Sequence, residues 1–311
     1  MDKESKILVS GHRGLVGSAI LRKLSAGGYR NTITRTRDEL DLTDQQAVNS
    51  FFDAAGIEYV FCAAAKVGGI LANSTCPADF IRENLLIQTL VMDAAFRSGV
   101  KKLLFLGSSC VYPRNAAQPI TEDQLLTSAL EPTNQAYAIA KIAGIAMAQA
   151  YRRQYGNSAI CLMPTNLYGP GDNFDPNSSH VLPALIRKFH EAKVSRSPHV
   201  TVWGTGAPRR EFLHVDDLAD ATVHMMLRYD DAELLNIGSG RDLTIAELAK
   251  TISEIVGYDG EIVFDDSKPD GMPRKLLDVT RAAKLGWRPS IELSEGIART
   301  YQWALRNGAL R

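Results

Sequence analysis

Lys6-Ile7-Leu8-Val9-Ser10-Gly11-His12-Arg13-Gly14-Leu15-Val16-Gly17 sets the fold of this chain. A short apolar run meets a glycine-rich turn, and the turn opens a helical segment ending near Ala26. Strand, glycine turn and helix in that order form a dinucleotide-binding arrangement. Gly11 permits the tight turn, Gly14 lets backbone approach a pyrophosphate, and Gly17 allows close helix-sheet packing. The helix N-terminus then faces the phosphates. The spacing is G-x-x-G-x-x-G, not G-x-G-x-x-G, and a glycine motif alone is weak evidence.

Outward from that turn, short apolar runs alternate with helical segments. Ile7-Val9, Thr32-Thr36, Tyr59-Ala63, Leu103-Leu106, Ala159-Met163 and Leu234-Ile237 read as strands. Gly14-Ala26, Asp44-Ala55, Asn84-Ser98, Asn134-Tyr155, Val181-Ala192, Val215-Tyr229 and Thr244-Val256 read as helices. This alternation predicts an α/β fold with a doubly wound parallel sheet of the Rossmann type. The rhythm breaks over the Gly/Pro/Asn-rich stretch Pro164 to Ser179, read as loop, and returns only near Val200 to Gly238. The expected division is a dinucleotide-binding domain, 1–167 plus 213–238, and a smaller, discontinuous substrate domain, 168–212 plus 239–311.

A chain of 311 residues that is 45% hydrophobic and 23% charged can bury a full core. Lysine plus arginine equals aspartate plus glutamate at 35 each, so no net field recommends nucleic acid or an anionic membrane as partner. Cys62, Cys76, Cys110 and Cys161 form no C-x-x-C pair and no metal-site spacing. With no signal peptide ahead of them, they point to a reducing cytoplasm. No uninterrupted apolar stretch is long enough to span a bilayer.

Tyr137-Ala138-Ile139-Ala140-Lys141 adds chemistry to the frame. Positions i and i+4 share one helix face, so the ammonium can lie beneath the phenol. At about 4 Å and an effective dielectric near 20, that charge favours phenolate by roughly 4 kcal/mol, or about 3 pKa units. The phenol is therefore expected to titrate near neutrality, where a general acid works best. The strand-like run Lys101 to Leu106 leads into Gly107-Ser108-Ser109-Cys110 and supplies a strand-borne serine. A solvent-facing helix that merely carries Tyr and Lys four apart is the plain alternative. The glycine turn and Ser108, in this order along the chain, weigh against it. From Ala138 to Ala150 the same helix is apolar nearly all round, apart from Lys141 and Gln149. Such a helix must be covered on both sides, and a homodimer through it is expected.

The glycine turn, Ser108, Tyr137-x-x-x-Lys141, Glu211-Phe212-Leu213-His214-Val215-Asp216-Asp217 and Leu285-Gly286-Trp287-Arg288-Pro289 resemble extended short-chain dehydrogenase/reductases acting on nucleotide sugars. Four longer motifs narrow this. Gly11-His12-Arg13-Gly14, Ala63-Ala64-Ala65-Lys66-Val67-Gly68-Gly69-Ile70, Pro164-Thr165-Asn166-Leu167-Tyr168-Gly169-Pro170 and Ser267-Lys268-Pro269-Asp270-Gly271 resemble the GDP-L-fucose synthase family essentially end to end. The resemblance implies C3 and C5 epimerisation of GDP-4-keto-6-deoxy-D-mannose, then NADPH reduction of its C4 ketone. It places the epimerising pair on Cys110 as base and His180, after Asn177-Ser178-Ser179, as acid. It gives the reduction to Ser108, Tyr137 and Lys141. Absent the resemblance, a cysteine at a strand end reads as a small buried hydrophobe.

Cofactor choice turns on the end of the second strand, where NAD enzymes carry a carboxylate for the ribose. Here Arg35 and Arg37 occupy that region and Arg13 sits inside the turn, which favours NADP and its 2′-phosphate. Asp38 and Glu39 follow at once and are the NAD-type alternative. The resemblance adds Asp41, from the acidic pair in Asp41-Leu42-Thr43-Asp44, to the cofactor contacts. With it come Gly11, His12, Arg13, Gly14, Leu15, Val16 and Gly17, then Leu106, Gly107, Lys141, Pro164, Thr165, Asn166, Leu167 and His180. For the substrate it points to Lys188, Trp203, Arg210 and Asp270, with Trp203 on guanine and Arg210 on diphosphate. The family often has arginine where Lys188 stands, and a point charge cannot grip bidentately.

Competing readings make different demands. An NAD-dependent 4-epimerase of the same fold would keep its cofactor as a hydride shuttle, and the basic residues after strand two argue against it. A simple 4-ketoreductase would need neither Cys110 nor His180. A dinucleotide sensor without catalysis would not be expected to hold the Ser/Tyr/Lys set.

Overall fold

A computed structural model describes residues 1–176, 178–268 and 270–310. Asn177 and Pro269, each quoted within a motif above, lie outside the described residues. The first half runs β1 (Ile7–Ser10), α1 (Leu15–Ala26), β2 (Thr32–Ile33), α2 (Gln45–Ala55), β3 (Tyr59–Cys62), α3 (Ile70–Thr75), α4 (Pro77–Arg97), β4 (Lys102–Leu106) and α5 (Gln135–Tyr155). It continues through β5 (Ala159–Pro164), β6 (Asn166–Tyr168), α6 (Val181–Ser195), β7 (His199–Trp203), β8 (Arg209–His214), α7 (Val215–Arg228) and β9 (Leu235–Ile237). The last stretch holds β10 (Asp242–Thr244), α8 (Ile245–Val256), β11 (Glu261–Asp265), β12 (Arg274–Lys275), α9 (Thr280–Lys284) and α10 (Leu293–Arg306).

Six strands form one parallel sheet in the order β2-β1-β3-β4-β5-β9. Strands β1, β4 and β5 are buried along their whole length, as a sheet covered on both faces requires. Ile20, Leu24, Leu218 and Met225 from α1 and α7 join one core cluster. Phe52, Val91, Met92, Ile145 and Ala148 from α2, α4 and α5 join the other. The doubly wound sheet of the sequence reading is thus the observed one.

Three local readings change. The second strand ends at Ile33, not Thr36. The fourth helix starts at Pro77, not Asn84. Pro77 takes the first helical turn, where a missing N–H costs nothing, and Asn84 is buried although polar, which hid the apolar period. Its amide bonds the backbone of Lys66 at 3.0 Å in both directions and pins the loop after β3. Third, Asn166–Tyr168 inside the expected loop is a strand parallel to β8.

The second core holds Leu182, Phe189, Val202, Phe212, Leu248, Ile252, Ile297 and Tyr301. Its sheets are β10-β8-β12, with β6 also on β8, and the pair β11-β7. The C-terminal segment is tied back to the first lobe. Asp217, just inside α7, accepts bonds from Ser290 N, Ser290 Oγ and Ile291 N at 2.9–3.1 Å. The buried Trp287 donates to Asp220 at 3.0 Å. Two of the quoted motifs therefore join the lobes. β8, with Arg210, and β12, with Lys275, run side by side where the lobes meet.

Candidate active site

The glycine turn forms a cradle. Gly11 has φ +71°, and a Cβ there would lie 2.8 Å from the backbone of Ala64. A Cβ on Gly17 would lie 2.2 Å from the Gly11 carbonyl, so its role is close approach of helix to turn. Gly14 caps α1 without any side-chain hydrogen bond, and no acid stands in the first turn. The first amide groups of α1 therefore lack the usual partner, the arrangement that receives a diphosphate. These residues fit a nicotinamide dinucleotide.

Within the turn and past it, Arg13 and Arg37 are exposed. Arg37 lies 3.6 Å from Glu83, which also holds Lys66 at 2.6 Å. Arg35 is otherwise engaged, donating to the Thr34 carbonyl at 2.7 Å with its guanidinium over the Phe51 ring. Asp44 accepts from Gln46 N and Ala47 N and caps α2. Asp41 bonds Thr43 N and Oγ1 at 2.9 and 2.7 Å, which holds its carboxyl below the usual range. Glu39, the possible NAD-type acid, is likewise tied down by Thr36 N at 2.7 Å.

At the chemical end, β4 stops at Leu106. A Cβ on Gly107 would lie 2.4 Å from the Met163 side chain, so only glycine passes between β4 and β5 there. Ser108 then caps a single tight turn, Ser109–Val111, its Oγ accepting from Cys110 N at 3.3 Å. Helix α5 brings Tyr137 and Lys141 alongside. Lys141, buried, donates to the Leu106 carbonyl at 2.9 Å, with Nζ 5.9 Å from the Tyr137 ring centre.

The expected electrostatics are overturned. Burial pushes the Tyr137 phenol above its ordinary value, Cys110 adds to the rise, and a hydrogen bond with Ser108 pulls against it. Burial also draws the Lys141 ammonium down to about 8. Desolvation of both groups outweighs their attraction, because the ammonium is committed to a carbonyl instead of the phenol.

Cys110 has two partners. Asn134 Nδ2 donates to its sulfur at 3.3 Å, and the buried Lys275 Nζ lies 3.6 Å away. Donors of this kind stabilise negative charge on sulfur. His180 caps α6 without a side-chain bond and is exposed. Desolvation there and the Lys275 charge hold the ring below its usual range. Lys275 thus acts on both members of the expected pair.

Neither Asn134 nor Lys275 was among the residues picked from sequence. Asn134 had a weak signal, standing just ahead of the Tyr137 helix. Lys275 had only its place in Lys275-Leu276-Leu277, a lysine opening an apolar pair. It is brought in by the pairing of Lys275 with Arg210 between β12 and β8, a contact with no local trace.

The remaining residues fall into two groups. Pro164 ends β5, and Thr165 and Asn166 bond the Glu211 carbonyl at 3.3 and 2.8 Å, with Leu167 next on β6. Arg210 donates to the carbonyls of Arg209 and Met272, and burial lowers its affinity for its proton. Asp270 accepts from Thr205 N and Oγ1 at 3.0 and 2.7 Å and faces Arg210. Trp203 is 67% exposed. Lys188 lies 5.1 Å from its ring centre while donating to the Thr201 carbonyl at 3.0 Å. Among the described residues no cluster could hold a metal ion, and no helix is long and apolar enough to cross a membrane.

Residues 7–238 match the NAD dependent epimerase/dehydratase family. The chain is 60% identical over 307 residues to "Probable GDP-L-fucose synthase 1" of Oryza sativa subsp. japonica, covering 98% of this chain and 94% of that one. It is 55% identical over 313 residues to "GDP-L-fucose synthase" of Escherichia coli (strain K12), covering 98% of each. A solved GDP-L-fucose synthetase from Naegleria fowleri bound to NADP superimposes with a TM-score of 0.92 at 29% identity, covering 99% of this chain and 95% of that chain.

Proposed function

This chain belongs to the NAD dependent epimerase/dehydratase family and, within it, to the GDP-L-fucose synthases, and we propose that it converts GDP-4-keto-6-deoxy-D-mannose to GDP-L-fucose. The C4 ketone acidifies the hydrogens on C3 and C5, so one acid/base pair can invert both centres through an enolate. The same ketone then accepts hydride. The observation that carries this reading is the cluster in which Ser108, Tyr137 and Lys141 adjoin a cysteine bonded by Asn134 and Lys275. A simple ketoreductase has no use for a sulfur so held. Incubating the protein with the keto sugar and NADPH, then assigning the product's stereochemistry, tests it. A product reduced at C4 with C3 and C5 unchanged would overturn it.

In this assignment Cys110 removes the proton and His180 delivers one to the opposite face of the ring. Ser108 hydrogen-bonds the C4 oxygen, Tyr137 gives that oxygen its proton, and Lys141 holds the ribose and steadies the developing charge. NADPH, when bound, supplies the hydride. Lys141 needs its proton for this role, and its pKa of about 8 sets where that proton leaves. The rate of reduction is therefore expected to fall as pH rises through about 8. Lys141→Arg should carry the decline to higher pH, and a profile unchanged by that substitution would contradict the role.

Arg13 and Arg37 receive the 2′-phosphate, which favours NADPH over NADH. Losing one charge-assisted contact costs roughly 1.5–3 kcal/mol, so Arg37→Ala should lower NADPH affinity about ten- to a hundred-fold while sparing NADH. An unchanged NADPH/NADH ratio would refute it. Trp203, Arg210, Asp270 and Lys188 hold the GDP moiety, with the family's usual arginine grip reduced to a point charge at Lys188. In this reading 1–167 plus 213–238 form the dinucleotide-binding domain and 168–212 plus 239–311 the substrate domain. Exposed Ile139, Ala143 and Ala146 on α5 support a homodimer through that helix. The four unpaired cysteines support a reducing cytoplasm.

A further inference from the structure

Trp203 ends β7 with two thirds of its surface open, an unusual exposure for the largest apolar side chain. Two ammonium groups stand near its ring. Lys188 Nζ is 5.1 Å from the centroid and is anchored on the Thr201 carbonyl. Lys268 Nζ is 5.9 Å away, and among the described residues its ammonium makes no hydrogen bond or ion pair. The turn that carries Lys268 is tightly built. Ser267 N and Oγ and Lys268 N all bond Asp265, whose carbonyl also accepts from Gly204 N, and Asp270 closes the turn onto Thr205. Asp265 pairs with Trp203 across β11 and β7, so the lysine and the indole hold a fixed relation.

Resting on the GDP-sugar reading above, we propose that Lys268 selects the base, reading the O6 and N7 edge of a keto-purine stacked on Trp203. An indole platform takes any flat base, with larger gain for a purine than a pyrimidine because more surface is covered. Lysine has three donors and no acceptor. Guanine offers N7 and O6, both acceptors, whereas adenine sets a donor amino group beside N7. An ammonium at that edge therefore gains a bond from guanine and meets a donor on adenine. It does not touch the guanine 2-amino group, so hypoxanthine should be accepted as well as guanine.

Binding of GDP, IDP, ADP and UDP, measured by calorimetry without keto sugar, tests this on wild type and Lys268→Met, which keeps the stem and removes the charge at an exposed site. Wild type should bind GDP and IDP alike and ADP roughly tenfold more weakly. The substitution should weaken GDP and IDP by about tenfold and leave ADP and UDP nearly unchanged. Equal weakening of all four nucleotides would mean that Lys268 acts only on phosphate, and would overturn the proposal. So would an intact GDP/ADP ratio, or IDP binding as weakly as ADP. Failure of the catalytic reading would appear separately, as unconverted keto sugar with the nucleotide preference intact.

Discussion

Replacing Tyr137 by phenylalanine is expected to slow reduction of the C4 ketone by about 10²–10⁴-fold, with nucleotide binding largely intact. The substitution removes the hydroxyl and keeps the ring, which packs edge-on against Phe80 at 6.5 Å. Because burial raises the phenol's pKa, Tyr137 stays protonated across the neutral range and enters the reaction loaded. A buried phenol is a reluctant acid in water, yet the acceptor is an oxygen becoming alkoxide, which is far more basic than phenolate. Transfer then runs downhill as hydride arrives. The Ser108 hydroxyl and the Lys141 ammonium steady the charge left behind. The measurement is single-turnover oxidation of NADPH with the epimerised keto sugar, and near-wild-type rates would sink the assignment.

The distinction between loaded donor and tuned phenolate marks where sequence reading runs out. Spacing on a helix is local, so Tyr137-x-x-x-Lys141 could be placed on one face from the chain alone. Whether the ammonium faces the phenol or a carbonyl depends on where β4 ends, and Leu106 takes the bond. The parallel sheet was legible for the same local reason. Strands covered on both faces are continuous apolar runs, and helices between them keep their own period. The second lobe was far less so. Its strands are short, half-buried and paired across long sequence separations, β6 with β8 and β11 with β7. Lys275 shares that fate, since a pairing between β12 and β8 delivers it to Cys110.

Cys110→Ser and His180→Gln are expected to block formation of the L-sugar by about 10²–10⁴-fold while sparing hydride delivery to a ketone at saturating NADPH, Cys110→Ser with cofactor binding intact as well. Serine keeps roughly the size of the side chain and can take the bonds from Asn134 and Lys275, but a hydroxyl gives up its proton far less readily than a thiol and so does not supply the base. Glutamine keeps the polarity of His180 without its titrating ring. If both variants instead lost reduction and epimerisation together, the two chemistries would share a residue set that this assignment keeps apart.

Hydrogen exchange into the keto sugar in deuterated water, with no NADPH present, isolates the epimerase step from everything else. The wild-type protein should exchange the hydrogens on C3 and C5 through the enolate, and the Cys110→Ser and His180→Gln variants should exchange slowly or at one face only. Exchange at the wild-type rate in both variants would contradict the account and leave the chain a 4-ketoreductase whose epimerising pair, if any, lies elsewhere.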